Sequence, residues 1–212
     1  MQFFSSLQEL LFPPHCLGCG LPAATLCSRC ENSFRLNYYQ SYAGKVSVYS
    51  AVNYNAVTRR ILLAAKEDGV RSADDLIVSA LHHSLLHAMR MTGNQPILVP
   101  IPSAARAVRT RGRDFLQEIS KRLSRLVGLP MHNLLRHNRI VNDQSGLDAT
   151  GRFKNLDGAI TLINRPIRLH EVFLIDDLVT TGATLNEAVR TLEMSGFKVA
   201  GAVTALVSLP LR

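Results

Sequence analysis

The chain has 212 residues and 24 Lys and Arg against 16 Asp and Glu, a formal charge of +8 with histidine neutral. At 47% hydrophobic and 19% charged, with 13 Gly and 9 Pro, the composition excludes collagen-like and disordered classes and predicts a packed core. No apolar run approaches the roughly 18 residues a membrane span needs. The apolar start, Met1 to Leu11, contains Gln8 and Glu9 and lacks a signal peptide's basic region and cleavage site, so a cytoplasmic protein without membrane insertion is expected.

All four cysteines lie in one stretch, as Cys16-Leu17-Gly18-Cys19 and Cys27-Ser28-Arg29-Cys30. Two Cys-x-x-Cys knuckles offer four thiolates from tight turns, the means of holding one Zn²⁺ tetrahedrally. A small zinc ribbon follows, with Pro22 and a short hairpin closing the spacer and His15 a bystander. Residues 1–40 are assigned to an N-terminal helix and this ribbon, and residues 41–212 to the larger domain.

In chain order, Val46 to Tyr54 alternates as a strand, Val57 to Lys66 reads as a helix ending near Gly69, and Asp74 to Met91 as a longer helix stopped by Gly93. On that helix His82, His83 and His87 are expected to form a solvated polar face. Ile97 to Pro102 is a buried strand ended by prolines, Phe115 to Val127 a helix, and residues 132–160 a loop-rich stretch. Strand Glu171–Ile175, helix Thr184–Ser195 and strand Val199–Ser208 complete an alternation that predicts an α/β fold, a mostly parallel sheet flanked by helices.

The most specific signal is Val172-Phe173-Leu174-Ile175-Asp176-Asp177-Leu178-Val179-Thr180-Thr181-Gly182-Ala183-Thr184. Four apolar residues predict a strand buried on both faces, with two carboxylates at its C-terminal end, where open α/β sheets place ligands. Adjacent acids there are costly unless something binds them. Sugar hydroxyls, or magnesium held through water, would serve. The following loop, Val179 to Thr184, points backbone N–H groups and threonine hydroxyls at one place near a helix N-terminus, where a phosphate fits. Gly182 allows close backbone approach and Thr184 is placed to cap the helix. Carboxylates for a ribose diol beside a nest for its 5′-phosphate describe a phosphoribosyl site, with Asp176 and Asp177 as the catalytic candidates.

These residues resemble the signature of type I phosphoribosyltransferases, which bind 5-phosphoribosyl 1-diphosphate (PRPP) with magnesium. Leu11-Phe12-Pro13-Pro14 before the knuckles, Lys66 before Gly69, Val99-Pro100-Ile101-Pro102, Arg111-Gly112, Gln144-Ser145-Gly146-Leu147 and Arg152 with Asn155 resemble, in order, the ComF (GntX-like) family. Arg113-Asp114-Phe115 stands where that family has Phe-Asn-Gln. The resemblance implies a zinc ribbon joined to a phosphoribosyltransferase-like fold, and a role in natural competence, handling incoming single-stranded DNA. Competence helicase or DNA-processing proteins are the partners it implies. Whether transferase chemistry accompanies the site, and toward which acceptor, stays open.

Between Ala104 and Asn155 stand eleven Lys and Arg and four acids, +7 of the total +8. Arg109, Arg111 and Arg113, read as an extended loop with alternate side chains on one side, are candidates for the pyrophosphate of PRPP or for a DNA backbone. The segment from Asn138 to Asn155 is expected to fold over the ligand. Only Phe115 and Phe153 are aromatic in this basic region, so base stacking is not predicted there.

Overall fold

The computed structural model describes residues 15–93, 96–138, 158–163 and 171–209. The start of the chain to residue 14, the Gln144-Ser145-Gly146-Leu147 motif, Arg139, Arg152, Lys154 and the expected closing segment beyond Asn138 lie outside the described residues.

A five-stranded sheet has the order β1-β2-β7-β6-β3, formed by Tyr39–Ala43 (β1), Val46–Asn53 (β2), Ile97–Pro100 (β3), Glu171–Val179 (β6) and Lys198–Val207 (β7). Only β1 runs antiparallel. Leu135–His137 (β4) and Ile160–Leu162 (β5) make a separate antiparallel ribbon inside the stretch read as loop. The helices are Ser28–Ser33 (α1), Ala56–Lys66 (α2), Arg71–Thr92 (α3), Ala105–Arg111 (α4), Phe115–Val127 (α5) and Ala183–Met194 (α6).

Local chemistry sets most boundaries. Asn55 opens α2 with a capping box, its Oδ1 accepting from Val57 N at 2.9 Å and Thr58 N at 3.0 Å, while Thr58 Oγ1 accepts from Asn55 N at 2.8 Å. Asp114 caps α5, and glycines in the left-handed region end α3, α4 and α5. On α5 the buried residues Phe115, Leu116, Ile119 and Leu123 recur at helical spacing, which is why its predicted and observed spans coincide.

The crossover β2-α2-α3-β3 runs across the sheet in one direction and β6-α6-β7 in the other, so right-handed connections place α3 and α6 on opposite faces. Both faces are accordingly dry: Val172, Phe173, Leu174 and Ile175 on β6 are fully buried, as are Leu98 and Val99 on β3. Phe173 fills the space left by Gly201 on β7, where a Cβ would come within 2.5 Å of its ring. The outer edge of β3 is closed by residues 130–132, through Leu98 N to Pro130 O and His132 N to Leu98 O.

Candidate functional site

Strand β6 continues to Val179, beyond the Ile175 end read from the sequence, so Asp176 and Asp177 lie within the strand. The pleat then turns them to opposite sides. Asp176 lines an open pocket together with Leu178, Val179, Thr180, Thr181, Gly182, Ala183, Thr184 and Leu185. All six residues predicted for the phosphate loop are on its wall. Leu178 and Leu185 are additions that composition alone could not assign. Asp177 is not on that wall; its buried carboxylate receives Lys66 Nζ at 2.5 Å from the last turn of α2.

Burial, and then the charge of Asp177, push the Asp176 carboxyl well above the usual carboxylate range, while Lys66 acts in the opposite sense. Burial disfavours the Lys66 ammonium, but the carboxylates of Asp177 and Asp176 outweigh it and hold its pKa above the ordinary value. Lys66 is the site residue the chemistry of the sequence did not single out as a ligand; its signal was a lone lysine at a helix end before Gly69.

Gly182, not Thr184, is the N-cap of α6, and no side chain caps it. Its φ of +73° is the left-handed conformation glycine tolerates, and a Cβ there would approach Ala43 Cβ to 3.1 Å and Ala43 Cα to 3.3 Å. The first intrahelical bond runs from Asn186 N to Gly182 O. Ala183 N donates to Thr181 Oγ1 at 3.4 Å, and with no cap from Gly182 the rest of the first turn points its N–H groups at the same space, as anion-binding helix ends do.

The expected basic loop is a helix. Arg109 and Arg111 lie on α4 and Arg113 follows it, so the three do not share an extended face. Arg111 Nε donates to Glu67 at 2.7 Å. Arg113 is enclosed: its guanidinium meets Asp74 at 2.9 Å and Glu118 at 2.8 Å and lies 5.5 Å from the centre of the Phe115 ring. Arg122 pairs with Asp75. Arg106 and Arg109 make no ion pair among the described residues. The surplus charge is thus partly spent on holding α2, α3 and α5 to the segment after β3.

The histidine face of α3 is also corrected. Tyr38 stacks on His83 with ring centroids 4.4 Å apart and lies 4.6 Å from His87, which in turn meets Tyr49 edge-on. His83 and His87 are half-buried, each against an aromatic ring, rather than a fully solvated polar face.

The four cysteines converge. Their sulfurs lie within 4.8 Å of one another, with Cys16 to Cys27 at 3.8 Å and Cys19 to Cys27 at 3.7 Å. Four sulfurs at about 2.3 Å from a tetrahedral zinc stand about 3.8 Å apart, whereas a disulfide would bring two to about 2.05 Å. The donor set and spacing therefore fit zinc. Burial raises the Cys16 thiol, but N–H groups of Cys27, Cys19 and Gly18 pull it down to about 6, whereas burial and the neighbouring sulfurs push the Cys30 thiol up to about 12. The knuckle is tight: a Cβ on Gly18 would sit 2.7 Å from Cys30 Sγ and from Val57 Cγ1, and Gly18 O accepts from Arg60 of α2 at 3.2 Å. His15 pairs with Pro22 in an isolated bridge, the short hairpin expected, and is not in the sulfur cluster.

No family model matches the chain. In sequence, 102 residues are 31% identical to Competence protein F of Haemophilus influenzae, covering 47% of this chain and 44% of that protein, so the match spans under half of either. This similarity and the motif resemblance point to the same family. Among solved structures, orotate phosphoribosyltransferase from Aeropyrum pernix is 14% identical with a TM-score of 0.41, covering 84% of this chain and 80% of that one. UMP synthase of Leishmania donovani is 14% identical with a TM-score of 0.40 over 97% of this chain and 34% of that one. Adenine phosphoribosyltransferase of Leishmania tarentolae is 15% identical with a TM-score of 0.36 over 68% and 74%. No helix among the described residues is long and apolar enough to cross a membrane.

Proposed function

We propose that this chain binds PRPP or ribose 5-phosphate, with magnesium, in the pocket at the start of α6 and serves natural competence in the cytoplasm by handling incoming single-stranded DNA. The observation that carries the phosphoribosyl reading is the pocket wall itself, where Asp176 faces the same space as the Thr180-Thr181-Gly182-Ala183-Thr184 turn and an uncapped helix N-terminus. A ribose diol donates to the carboxylate while the 5′-phosphate accepts from the turn. The similarity to Competence protein F supports the cellular role. The net charge of +8, with Arg106 and Arg109 outside any ion pair among the described residues, supports a polyanionic partner.

Titration calorimetry with PRPP and magnesium tests the pocket: binding should weaken at least about tenfold in Asp176→Asn, and equal affinity in both proteins would reject the assignment. A transferase would also release pyrophosphate when an acceptor is supplied, so a panel of acceptors including DNA separates binding from chemistry. For DNA, affinity should be indifferent to sequence and fall with log salt at about −0.7 per phosphate neutralised. No binding at low salt would remove the DNA role.

A further inference from the structure

The edge strand β1 carries a feature that neither the phosphate pocket nor the zinc site uses. On β1, Gln40 and Tyr42 alternate with Tyr39, Ser41 and Ala43 and share one face, and Tyr38 immediately precedes the strand. That face is open: Tyr38 is 57% exposed and Tyr42 62% exposed, whereas Ser41 and Ala43 on the other face are buried. Gln40 Nε2 reaches Tyr42 Oη at 3.5 Å between them. An exposed tyrosine is ordinarily mobile, but Tyr38 is fixed from behind. Its ring lies nearly parallel to His83, at 16° and 4.4 Å, with His87 alongside at 4.6 Å, leaving its outer face bare. His83 Nε2 is buried with no hydrogen-bond partner, and the ring is held by a hydrogen bond with the backbone of Asn37 while it stacks on Tyr38.

One permanent cation, Arg90, stands near the platform: burial, then His87, His82 and Arg90, hold the His83 pKa down. At its far end the strand touches the Gly182 turn through its buried face, Ala43 Cβ lying 3.1 Å from where a Cβ on Gly182 would be. A rigid aromatic face, a second exposed ring four residues on, and nearby positive charge are the elements with which proteins hold unpaired bases without reading sequence.

We propose that the outward face of β1, together with Tyr38 just before it, is a stacking track for single-stranded DNA, with an unpaired base on Tyr38 and a second contact at Tyr42. This rests on the DNA-handling reading above and supplies the stacking surface that the basic region, poor in aromatic residues, lacks.

The test compares an oligo(dT) with an abasic oligonucleotide of equal length, which keeps the phosphates and lacks the bases. Fluorescence anisotropy is measured on the zinc-loaded full chain. Wild type should prefer oligo(dT) by at least about fivefold. Tyr38→Ala and Tyr38→Leu should abolish that preference while leaving abasic affinity and PRPP affinity unchanged, and Tyr38→Phe should retain it. The leucine variant keeps the histidines covered without a ring, so loss of packing is separated from loss of stacking. Equal affinity of wild type for the two oligonucleotides overturns the track while leaving phosphate-mediated DNA binding intact. Absence of binding to either overturns the track and the DNA-handling reading together.

Discussion

Lys66 Nζ and Asp177 Oδ2 meet at 2.5 Å across 111 residues of chain, tying the end of α2 to the strand whose Asp176 lines the proposed phosphate pocket. Only one of the two adjacent acids has this counter-ion. Asp177 is thereby a buried anchor for α2, and Asp176 is left facing the open pocket with a raised pKa.

Replacing Lys66 by Met should destabilise the fold by about 1–3 kcal/mol at pH 7, below the range for fully buried pairs because Lys66 is 30% exposed. Its folded pKa is raised, so the contribution is complete below the unfolded value of about 10.4 and is lost as pH rises through the higher folded one. Urea midpoints of the two proteins should differ by a constant amount from pH 6 to 9 and converge in strong alkali. Equal midpoints at pH 7 would show that the pair contributes nothing.

Asp176→Asn should act in the opposite direction on stability. The folded pKa of Asp176 lies above its unfolded value of about 3.9, so the native state keeps a proton the unfolded chain has released, and stability falls as pH rises through that interval. The amide removes this cost and still accepts from Asp177 N, a bond now 2.8 Å. Thermal denaturation at pH 7 should give a variant more stable by about 0.5–2 kcal/mol, with the advantage gone below about pH 4. A less stable variant at pH 7 would mean that the charge is compensated where it stands.

One zinc per chain is expected on Cys16, Cys19, Cys27 and Cys30. Gly18→Ala should reduce zinc affinity at least about tenfold, because its Cβ would meet Cys30 Sγ and Val57 Cγ1 at 2.7 Å while changing no ligand. Competition against a chromophoric chelator measures it, and circular dichroism should show the α/β domain still folded. Metal-free protein purified under reducing conditions would reject the zinc assignment.

Arg113 and Arg109 should separate stability from binding. Arg113→Ala strips Asp74, whose side chain is 7% exposed, of its cation and should destabilise by about 2–4 kcal/mol. Arg109→Ala should stay within about 0.5 kcal/mol of wild type and reduce the magnitude of the DNA salt slope by up to about 0.7. Denaturation and salt-dependent anisotropy on both variants decide it. A neutral Arg113→Ala would show that its two carboxylate partners do not anchor the segment after β3.

What the amino-acid order determined here is what neighbouring residues settle among themselves. The apolar spacing of Phe115, Leu116, Ile119 and Leu123 defines α5, the Cys-x-x-Cys pairs define the sulfur cluster, and the run from Val172 to Thr184 places two acids and a glycine turn before a helix. Each depends on contacts within a few positions. The tertiary structure decided the rest. Whether Asp176 or Asp177 faces the ligand depends on which side of β6 each helix covers. Lys66 becomes part of the site because α2 ends beside β6. Arg113 is an anchor because Asp74 and Glu118 converge on it from separate helices. The five residues of β1 are a strand because β2 pairs with them, and Tyr38 is a platform because α3 brings His83 beneath it. Partners so far apart in the chain leave no periodicity to read, since their meeting is set by sheet order and register.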